Sequence, residues 1–324
     1  MAKEPPSSVD SSQFDDLTVR VAWLYHQRDW TQEQIARKYR VSRTTIARLL
    51  QRARRDGLVK ISFASGPKRR MLVEESLCQR YSLVEAILVE STPDPTARQT
   101  ALARATAAYL ERSLEDRMLV SVGTSRTLHE MANIFSPSRK LPGCVFVEML
   151  GGIAAEDPRF DTYNVSWELA QRCGASARHL FTPAILSSRE ARDVILSDPG
   201  IAKTMELAAN SDMSLLAIGD IGASCPILFQ MAGFDESDVR VLQANGAVGE
   251  ILGRVYDIHG NAVSTPIDDR ILGLSLDQIR ALPFVVAVGG GKSREAAILG
   301  ALRQGFIKVL ITDYETGEAL MHKT

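Results

Sequence analysis

The run TQEQIARKYRVSRTTIARLLQRARRD, which begins at Thr31, places basic side chains at Arg37, Lys38, Arg40, Arg43, Arg48, Arg52, Arg54 and Arg55, and no Asp or Glu falls between Arg37 and Arg55. A one-sided positive face of this kind is suited to phosphate. Its residue types also allow base recognition, because a guanidinium can grip guanine O6 and N7 together and a Thr can meet an acceptor or a thymine methyl. Arg43, Thr44, Thr45 and Arg48 are the candidates for base edges, and Gln32, Arg52, Arg54 and Arg55 for phosphate. The competing reading is a solvated basic face on an ordinary helical subdomain.

A second kind of chemistry lies further along. LVSVGTSRTLHEMA reads as strand, turn and helix, with Gly123, Thr124, Ser125 and Arg126 at the junction. A glycine for close approach, two hydroxyls, amides at a helix N-terminus and a guanidinium together make an anion cradle. The GKS/T of a nucleotide-triphosphate loop is missing, which favours a small monophosphate over ATP. VVAVGGGKSREAAI repeats the logic with Gly289, Gly290, Gly291 and Lys292, and EMLGGI puts Gly151 and Gly152 after another strand. LAIGDIG and GAVGEILGRVYDIHGN add Asp220, Glu250 and Asp257, carboxylates able to accept hydrogen bonds from sugar hydroxyls. Plain turn geometry is the alternative for the glycines, and solvent exposure for the acids.

The elements that must position these residues follow from periodicity. Residues 15–28 form an amphipathic helix with Leu17, Val21 and Leu24 on one face and Val19, Trp23 and Tyr25 widening it. Thr31 with Gln34 fits a capping box, so a second helix starts near Gln32, with Ile35 and the small Ala36 inward. Ser42 caps a third, with Ile46, Leu49 and Leu50 inward and Arg43, Thr44, Thr45, Arg48 and Arg52 outward. This is helix-turn-helix geometry with the third helix as the major-groove reader. Arg40 stands where such turns often carry Gly; either it adopts a left-handed conformation at about 1 kcal/mol or the turn is built differently. LVKISF after Gly57 alternates and reads as a short strand able to form a wing, and ASGPKRR as a hinge.

From Met71 onward short buried strands alternate with helices. Strands are expected at 85–89, 118–122, 144–149, 177–181, 214–218, 284–288 and 308–312, and helices at 97–114, 127–135, 164–172, 190–196 and 294–303. The fold class is α/β: a small all-α helix-turn-helix domain followed by a larger domain with a mainly parallel sheet. Ligands of such sheets bind outside the carboxyl ends of the strands, where the loops named above fall. The expected division is a disordered leader at 1–12, a DNA-binding domain at 13–63, a linker at 64–71 and a ligand-binding and oligomerisation domain at 72–324.

Composition fits two domains. The 324 residues are 45% hydrophobic and carry a formal net charge of −1, yet residues 1–70 hold 15 Lys and Arg against 7 Asp and Glu, and the rest 23 against 32. The basic surface is confined to the N-terminal fifth. Cys78, Cys144, Cys173 and Cys225 form no CxxC pair, so neither a zinc site nor a disulfide framework is indicated and no metal or cofactor is expected. No signal-like or membrane-spanning apolar run occurs, and a cytoplasmic protein is expected. His129, His179, His259 and His322 each stand singly, with no acid/base pair apparent, which argues against the competing class, a phosphosugar isomerase or deaminase with an added DNA-binding arm.

Taken as an ordered set, TQEQIARKYRVSRTTIARLLQRARRDGLVKI, SVGTSRTLHEMA, VEMLGG, LAIGDIG, NGAVGEILGRVYDIHGN and FVVAVGGGKSREAAILGALRQGFIKVLITD closely resemble the SorC/DeoR group of bacterial sugar-responsive transcriptional regulators, over about residues 15–320. The resemblance implies a non-enzymatic regulator of carbohydrate metabolism. Its effector domain would be similar in fold to sugar-phosphate isomerases and glucosamine-phosphate deaminases, would bind a phosphorylated sugar and would usually assemble as a tetramer. Carried over by motif, Gly123 to Arg126 would receive the phosphate, and Gly289 to Lys292 with the Glu250 to Asp257 segment would complete the pocket. Its partners would be double-stranded operator DNA, the phosphosugar and further copies of itself, with no membrane.

Overall fold

A computed structural model describes residues 16–60, 65–153, 165–222, 229 and 232–323. The chain divides into two compact units, Met1–Pro67 and Lys68–Thr324.

In the first unit, α1 (Asp16–Gln27), α2 (Gln32–Tyr39) and α3 (Arg43–Arg55) enclose a small core of Val21, Ala22, Leu24, Ile35, Ala36, Ile46, Leu50 and Ala53. The Thr31 capping box forms at both of its bonds, with Oγ1 accepting the Gln34 amide at 3.2 Å and the Gln34 side chain accepting the Thr31 amide at 2.8 Å. Ser42 caps α3 by accepting the Thr45 amide. Between them Arg40 is left-handed, with φ 53° and ψ 41°. The turn is therefore built in the tight form, and Arg bears the strain that Gly would avoid. The buried stripe of α1 is narrower than its composition suggests: Trp23 is 52% exposed and Val19 36%. Of LVKISF, residues 58–60 are not a strand, and 61–63 lie outside the described residues. The expected hinge is largely helix, since α4 runs Ser65–Tyr81.

The second unit is built on a seven-stranded sheet, wholly parallel, in the order β1-β10-β9-β5-β2-β3-β4. The strands are β1 (Glu85–Val89), β2 (Leu119–Val122), β3 (Val145–Glu148), β4 (Ser176–Arg178), β5 (Met213–Ala217), β9 (Val285–Val288) and β10 (Ile307–Asp313). Val285, Val286, Ala287 and Val288 are all buried, the expected state of a central strand covered on both faces. The helices of this unit are α5 (Pro95–Ser113), α6 (Arg126–Ile134), α7 (Val165–Cys173), α8 (Arg189–Leu196), α9 (Pro199–Ala209), α10 (Glu236–Ala244), α11 (Leu276–Arg280), α12 (Glu295–Arg303) and α13 (Tyr314–Met321), of which α5, α6, α7, α9 and α13 contact strands of this sheet and cover both of its faces. Of the cysteines, Cys78, Cys144 and Cys173 are free thiols, and burial pushes Cys173 up to about 11; Cys225 lies outside the described residues.

One element departs from the expected alternation. β6 (Gly219–Asp220), β7 (Ala247–Ile251) and β8 (Arg254–Asp257) form a separate antiparallel sheet. The segment that reads as a carboxylate-bearing loop is thus a hairpin, anchored by Tyr256 Oη donating to the Ala297 carbonyl at 3.0 Å and by Arg254 donating to the Asp268 carbonyl at 2.8 Å. Its two-residue turn is Leu252–Gly253, with φ of 53° and 76°, the twist that a tight hairpin requires.

Candidate functional site

On the DNA-facing candidates, the geometry separates two groups. Arg43, Thr44 and Arg48 are exposed on α3, and Arg43, Arg48 and Arg54 have no ion-pair partner among the described residues. Thr45 is half-buried, and its Oγ1 lies 2.8 Å from Ser42 Oγ. Thr44 Oγ1 lies 2.7 Å from the same Ser42 Oγ, so both threonine hydroxyls are engaged at the cap and are less available to a base than their positions in the sequence suggest. Arg52 reaches Asp56 at 3.3 Å, and Arg55 reaches the same carboxylate at 2.9 Å, so Asp56 draws two cations along the C-terminal end of α3. Gln32, half-buried, occupies the first position of α2.

In the second unit the order of the sheet decides where a ligand fits. The chain runs outward from β2 through β3 to β4, then returns to β5 beside β2 and proceeds the other way through β9 to β10. β2 and β5 therefore flank the point where the winding reverses, the crevice that α/β sheets use for ligands. Gly123 follows β2 at that point, its amide donating to the Leu215 carbonyl of β5 at 2.8 Å. Ser125 caps α6 by accepting the Leu128 amide at 3.0 Å. The Arg126 and Thr127 amides, at the first two positions of the helix, have no acceptor within it. Arg126 is exposed, and Thr124 Oγ1 is buried with no hydrogen-bond partner among the described residues. Gly123 also receives the hairpin tip: a β-carbon there would sit 3.1 Å from Leu252 Cδ2.

A cavity at this place is lined by Gly123, Thr124, Glu148, Gly151, Gly152 and Ser166, among others. Gly151 is also required by packing, since a β-carbon would fall 2.6 Å from the Pro183 carbonyl oxygen, and the Gly152 amide donates to the Thr182 carbonyl at 2.8 Å. The absence of a side chain at Gly151 thus lets the 182–184 segment close against the end of β3.

The second glycine loop is filled from within. The Gly291 amide donates to Asp313 Oδ2 at 2.6 Å and to Thr316 Oγ1 at 2.9 Å, and a β-carbon at Gly290 would lie 2.4 Å from the same carboxylate oxygen. The Gly291 amide is therefore already engaged by Asp313 and Thr316 and is not free to receive an anion. Gly289 and Gly290 are buried, and Lys292 is exposed. Two cations not singled out by sequence stand at this loop: Arg98, whose guanidinium is 2.8 Å from where a Gly291 β-carbon would be, and Arg294, which donates to the Gly290 carbonyl at 3.0 Å and meets Asp220 at 3.3 Å.

Asp220 and Glu250 come together on β6 and β7, where Gly219 is paired with Glu250. Desolvation raises the Glu250 pKa against the Gly253 amide, which donates to Oε2 at 2.8 Å, and the Arg294 charge. Asp257 is elsewhere. Its carboxylate closes the 257–261 turn, accepting the His259 amide at 2.9 Å and the Asn261 amide at 2.8 Å. Although desolvation works the other way, the hydrogen bonds from Asn261 and His259 hold it below the usual carboxylate range. Its carboxylate makes no hydrogen bond to the Gly123 or Gly289 loops among the described residues.

The structure also corrects the reading that every histidine stands singly. His179 Nδ1 lies 2.8 Å from Glu148 Oε1, and Ser166 Oγ donates to the same oxygen at 3.2 Å. The Leu180 amide donates to Oε2 at 2.8 Å. Burial pushes the Glu148 carboxyl up, opposed by His179 and the Leu180 amide. Register explains why spacing could not reveal this: Glu148 ends β3, and His179 follows the adjacent parallel strand β4. The group is not a nucleophile relay, because Ser166 Oγ approaches the same nitrogen, Nδ1, at 3.4 Å, whereas a relay needs serine and carboxylate on opposite ring nitrogens. Among the described residues no group of three or more His, Cys, Asp or Glu is placed to hold a metal, and no helix is long and apolar enough to cross a membrane.

Comparison with known proteins matches this architecture. The family model described as "Putative sugar-binding domain" covers residues 67–322, and a homeodomain-like model covers 19–60. The chain is 30% identical over 309 residues to the deoxyribonucleoside regulator of Bacillus subtilis (strain 168), spanning 94% of this chain and 97% of the relative. It is 28% identical to the sorbitol operon regulator of Klebsiella pneumoniae, spanning 94% and 97%. The crystal structure of full-length SorC from Klebsiella pneumoniae superposes with a TM-score of 0.72 at 26% identity, covering 97% of this chain and 100% of that one. With a helix-turn-helix unit ahead of a family-defining sugar-binding domain, and relatives that are regulators rather than enzymes, the chain belongs to the SorC/DeoR family of sugar-binding transcriptional regulators.

Proposed function

We propose that this regulator controls carbohydrate metabolism by binding a palindromic operator through α3, and that a phosphorylated sugar held at Gly123–Arg126 changes its affinity for that operator. The observation that carries the reading is the state of the β2 loop at the switch point. Thr124 offers a buried hydroxyl without a partner among the described residues, α6 presents its N-terminus, and Arg126 is exposed beside it. The comparable loop after β9 already holds Asp313. The names of the relatives, a deoxyribonucleoside regulator and a sorbitol operon regulator, support a carbohydrate-derived effector. Asp220, Glu250 and Lys292 are assigned to the sugar side of the pocket, and residues 72–324 to assembly as a homotetramer. Oligomerisation serves specificity, because one helix-turn-helix reads few base pairs and paired half-sites multiply the discrimination.

A ligand moves this equilibrium only by binding the operator-competent and incompetent states unequally, and about 1–3 kcal/mol is enough for a useful switch. The test is fluorescence anisotropy on DNA from upstream of the regulator's own coding region, titrated with sugar phosphates and the matching free sugars. A phosphate-dependent change in affinity that disappears in Arg126→Ala, with DNA binding otherwise intact, is the expected result. An equal response to the free sugars, or a normal response in Arg126→Ala, would reject the phosphate assignment.

A further inference from the structure

Of the Glu148–Ser166–His179 group, Glu148 and Ser166 line the same cavity as Gly123 and Thr124. Glu148 is 7% exposed and Ser166 fully buried. A carboxylate has about four acceptor positions, and the three donors here occupy two on Oε1 and one on Oε2. That leaves acceptor capacity on Oε2, an oxygen already fixed by a backbone amide, on a residue that lines the cavity. Charge also matters: a carboxylate repels phosphate, so this wall and the α6 N-terminus cannot serve the same end of a ligand. Thr124, whose buried and unpartnered Oγ1 can donate or accept, lines the same cavity.

We infer that Glu148, fixed by His179, Ser166 and the Leu180 amide, is a hydroxyl-recognising residue that selects effectors carrying a free hydroxyl at the end of the ligand remote from its phosphate, and that it discriminates against deoxy analogues. This rests on the phosphosugar reading only for the direction in which the ligand lies; the hydroxyl claim concerns the Glu148 wall alone. His179 and Ser166 are positioning residues. They hold the carboxylate so that its remaining acceptor site needs no reorganisation when a hydroxyl arrives. A site that hydrogen-bonds a hydroxyl rejects the analogue lacking it far more strongly than an apolar pocket separates ligands by size.

The experiment measures dissociation constants of the full chain by calorimetry for matched pairs: ribose 5-phosphate with 2-deoxyribose 5-phosphate, glucose 6-phosphate with its 2-, 3- and 4-deoxy analogues, the corresponding free sugars, and inorganic phosphate. Expected is at least a tenfold preference of the wild type for one hydroxylated ligand over its deoxy partner. Glu148→Gln, which leaves one acceptor oxygen in place of two and removes the charge that strengthens a hydrogen bond, should reduce that ratio to within about twofold, while inorganic phosphate binds no more weakly than before. Ser166→Ala, which removes one donor without inserting another, should lower the ratio by a smaller factor and gives the reading if Glu148→Gln does not fold. A wild type that separates no pair, or a ratio unchanged in both variants, overturns the assignment. If free sugars show the full preference and phosphorylation adds nothing, the phosphate reading falls while the hydroxyl assignment stands.

Discussion

Thr124→Val offers a test in which stability and binding should move in opposite directions. The substitution keeps the branched shape and removes one atom, the Oγ1 that is buried at the end of β2 with no hydrogen-bond partner among the described residues. A buried unsatisfied polar group costs about 1–3 kcal/mol, so the ligand-free valine variant should be more stable, by about 1 kcal/mol at the low end of that range. For a unit of this size that is a rise of roughly 2–4 °C in melting temperature. Effector binding should weaken, because a hydrogen bond to a charged phosphate is worth about 1.5–3 kcal/mol, or roughly tenfold or more in dissociation constant. Since stabilisation by ligand follows RT ln(1 + [L]/Kd), a tenfold weaker Kd removes about 1.4 kcal/mol of it at high ligand. Scanning calorimetry with and without the best sugar phosphate would therefore give melting curves that cross: variant above wild type when free, below it when loaded. A lower melting temperature of the free variant, or an undiminished ligand shift, would refute the claim that this hydroxyl is held ready for a ligand.

Further expectations concern the other parts of the molecule. Arg43→Ala and Arg48→Ala should each weaken operator binding by about 1–3 kcal/mol with relaxed preference at one base pair, whereas Arg54→Ala should weaken all sequences alike and reduce the salt slope by about 0.9; a footprint unchanged in Arg43→Ala would count against base reading. Arg40→Gly, which relieves a left-handed arginine at φ 53°, should stabilise the first unit by about 0.5–1 kcal/mol, read as a higher urea midpoint by tryptophan fluorescence; a lower midpoint would mean the turn does not carry strain. Desolvation raises the Glu250 pKa in the folded state above its ordinary 4.5, so the folded chain binds its proton more readily than the unfolded chain. Its destabilising effect is full above the raised folded value and fades as pH falls through that value toward 4.5. Glu250→Gln should then be the more stable protein at pH 7, with the difference closing on acidification, and a constant offset would sink the assignment.

The sheet was legible because its strands are covered on both faces: unbroken runs such as VVAV mark central parallel strands without further help. Capping chemistry was similarly local, and Thr31 and Ser42 start their helices where their types require. What stayed hidden depends on register between distant segments. The β7–β8 hairpin turns on Leu252–Gly253, with no Asn-Gly or Asp-Gly signal, because packing of Leu252 against Gly123 fixes a conformation that leucine does not favour by itself. α9 carried a cap at Asp198 and Pro199 at its first turn and was readable in principle. The His179–Glu148 contact and the filling of the Gly291 loop by Asp313 arise from strands that are neighbours in the sheet and not in the chain. Sequence spacing has no access to either. The glycine loops were therefore visible, and the carboxylates of Glu148 and Asp313 that stand beside them were not.

The pairing of β1 with β10 has a consequence for how the molecule is made. β1 is an edge strand whose one partner in the sheet is the last strand of the chain, and α4, which precedes it, is tied at Arg80 to the carbonyl of Lys323 and at Arg69 to Glu318. During synthesis, then, β1 must wait unpaired until more than two hundred further residues have emerged, a long-range closure of the kind that slows folding and exposes an edge to other chains. The helix-turn-helix, whose contacts are all local, can fold long before. A nascent or prematurely terminated chain would accordingly carry a finished DNA-binding unit on an unfinished sheet, able to touch DNA and unable to answer the effector.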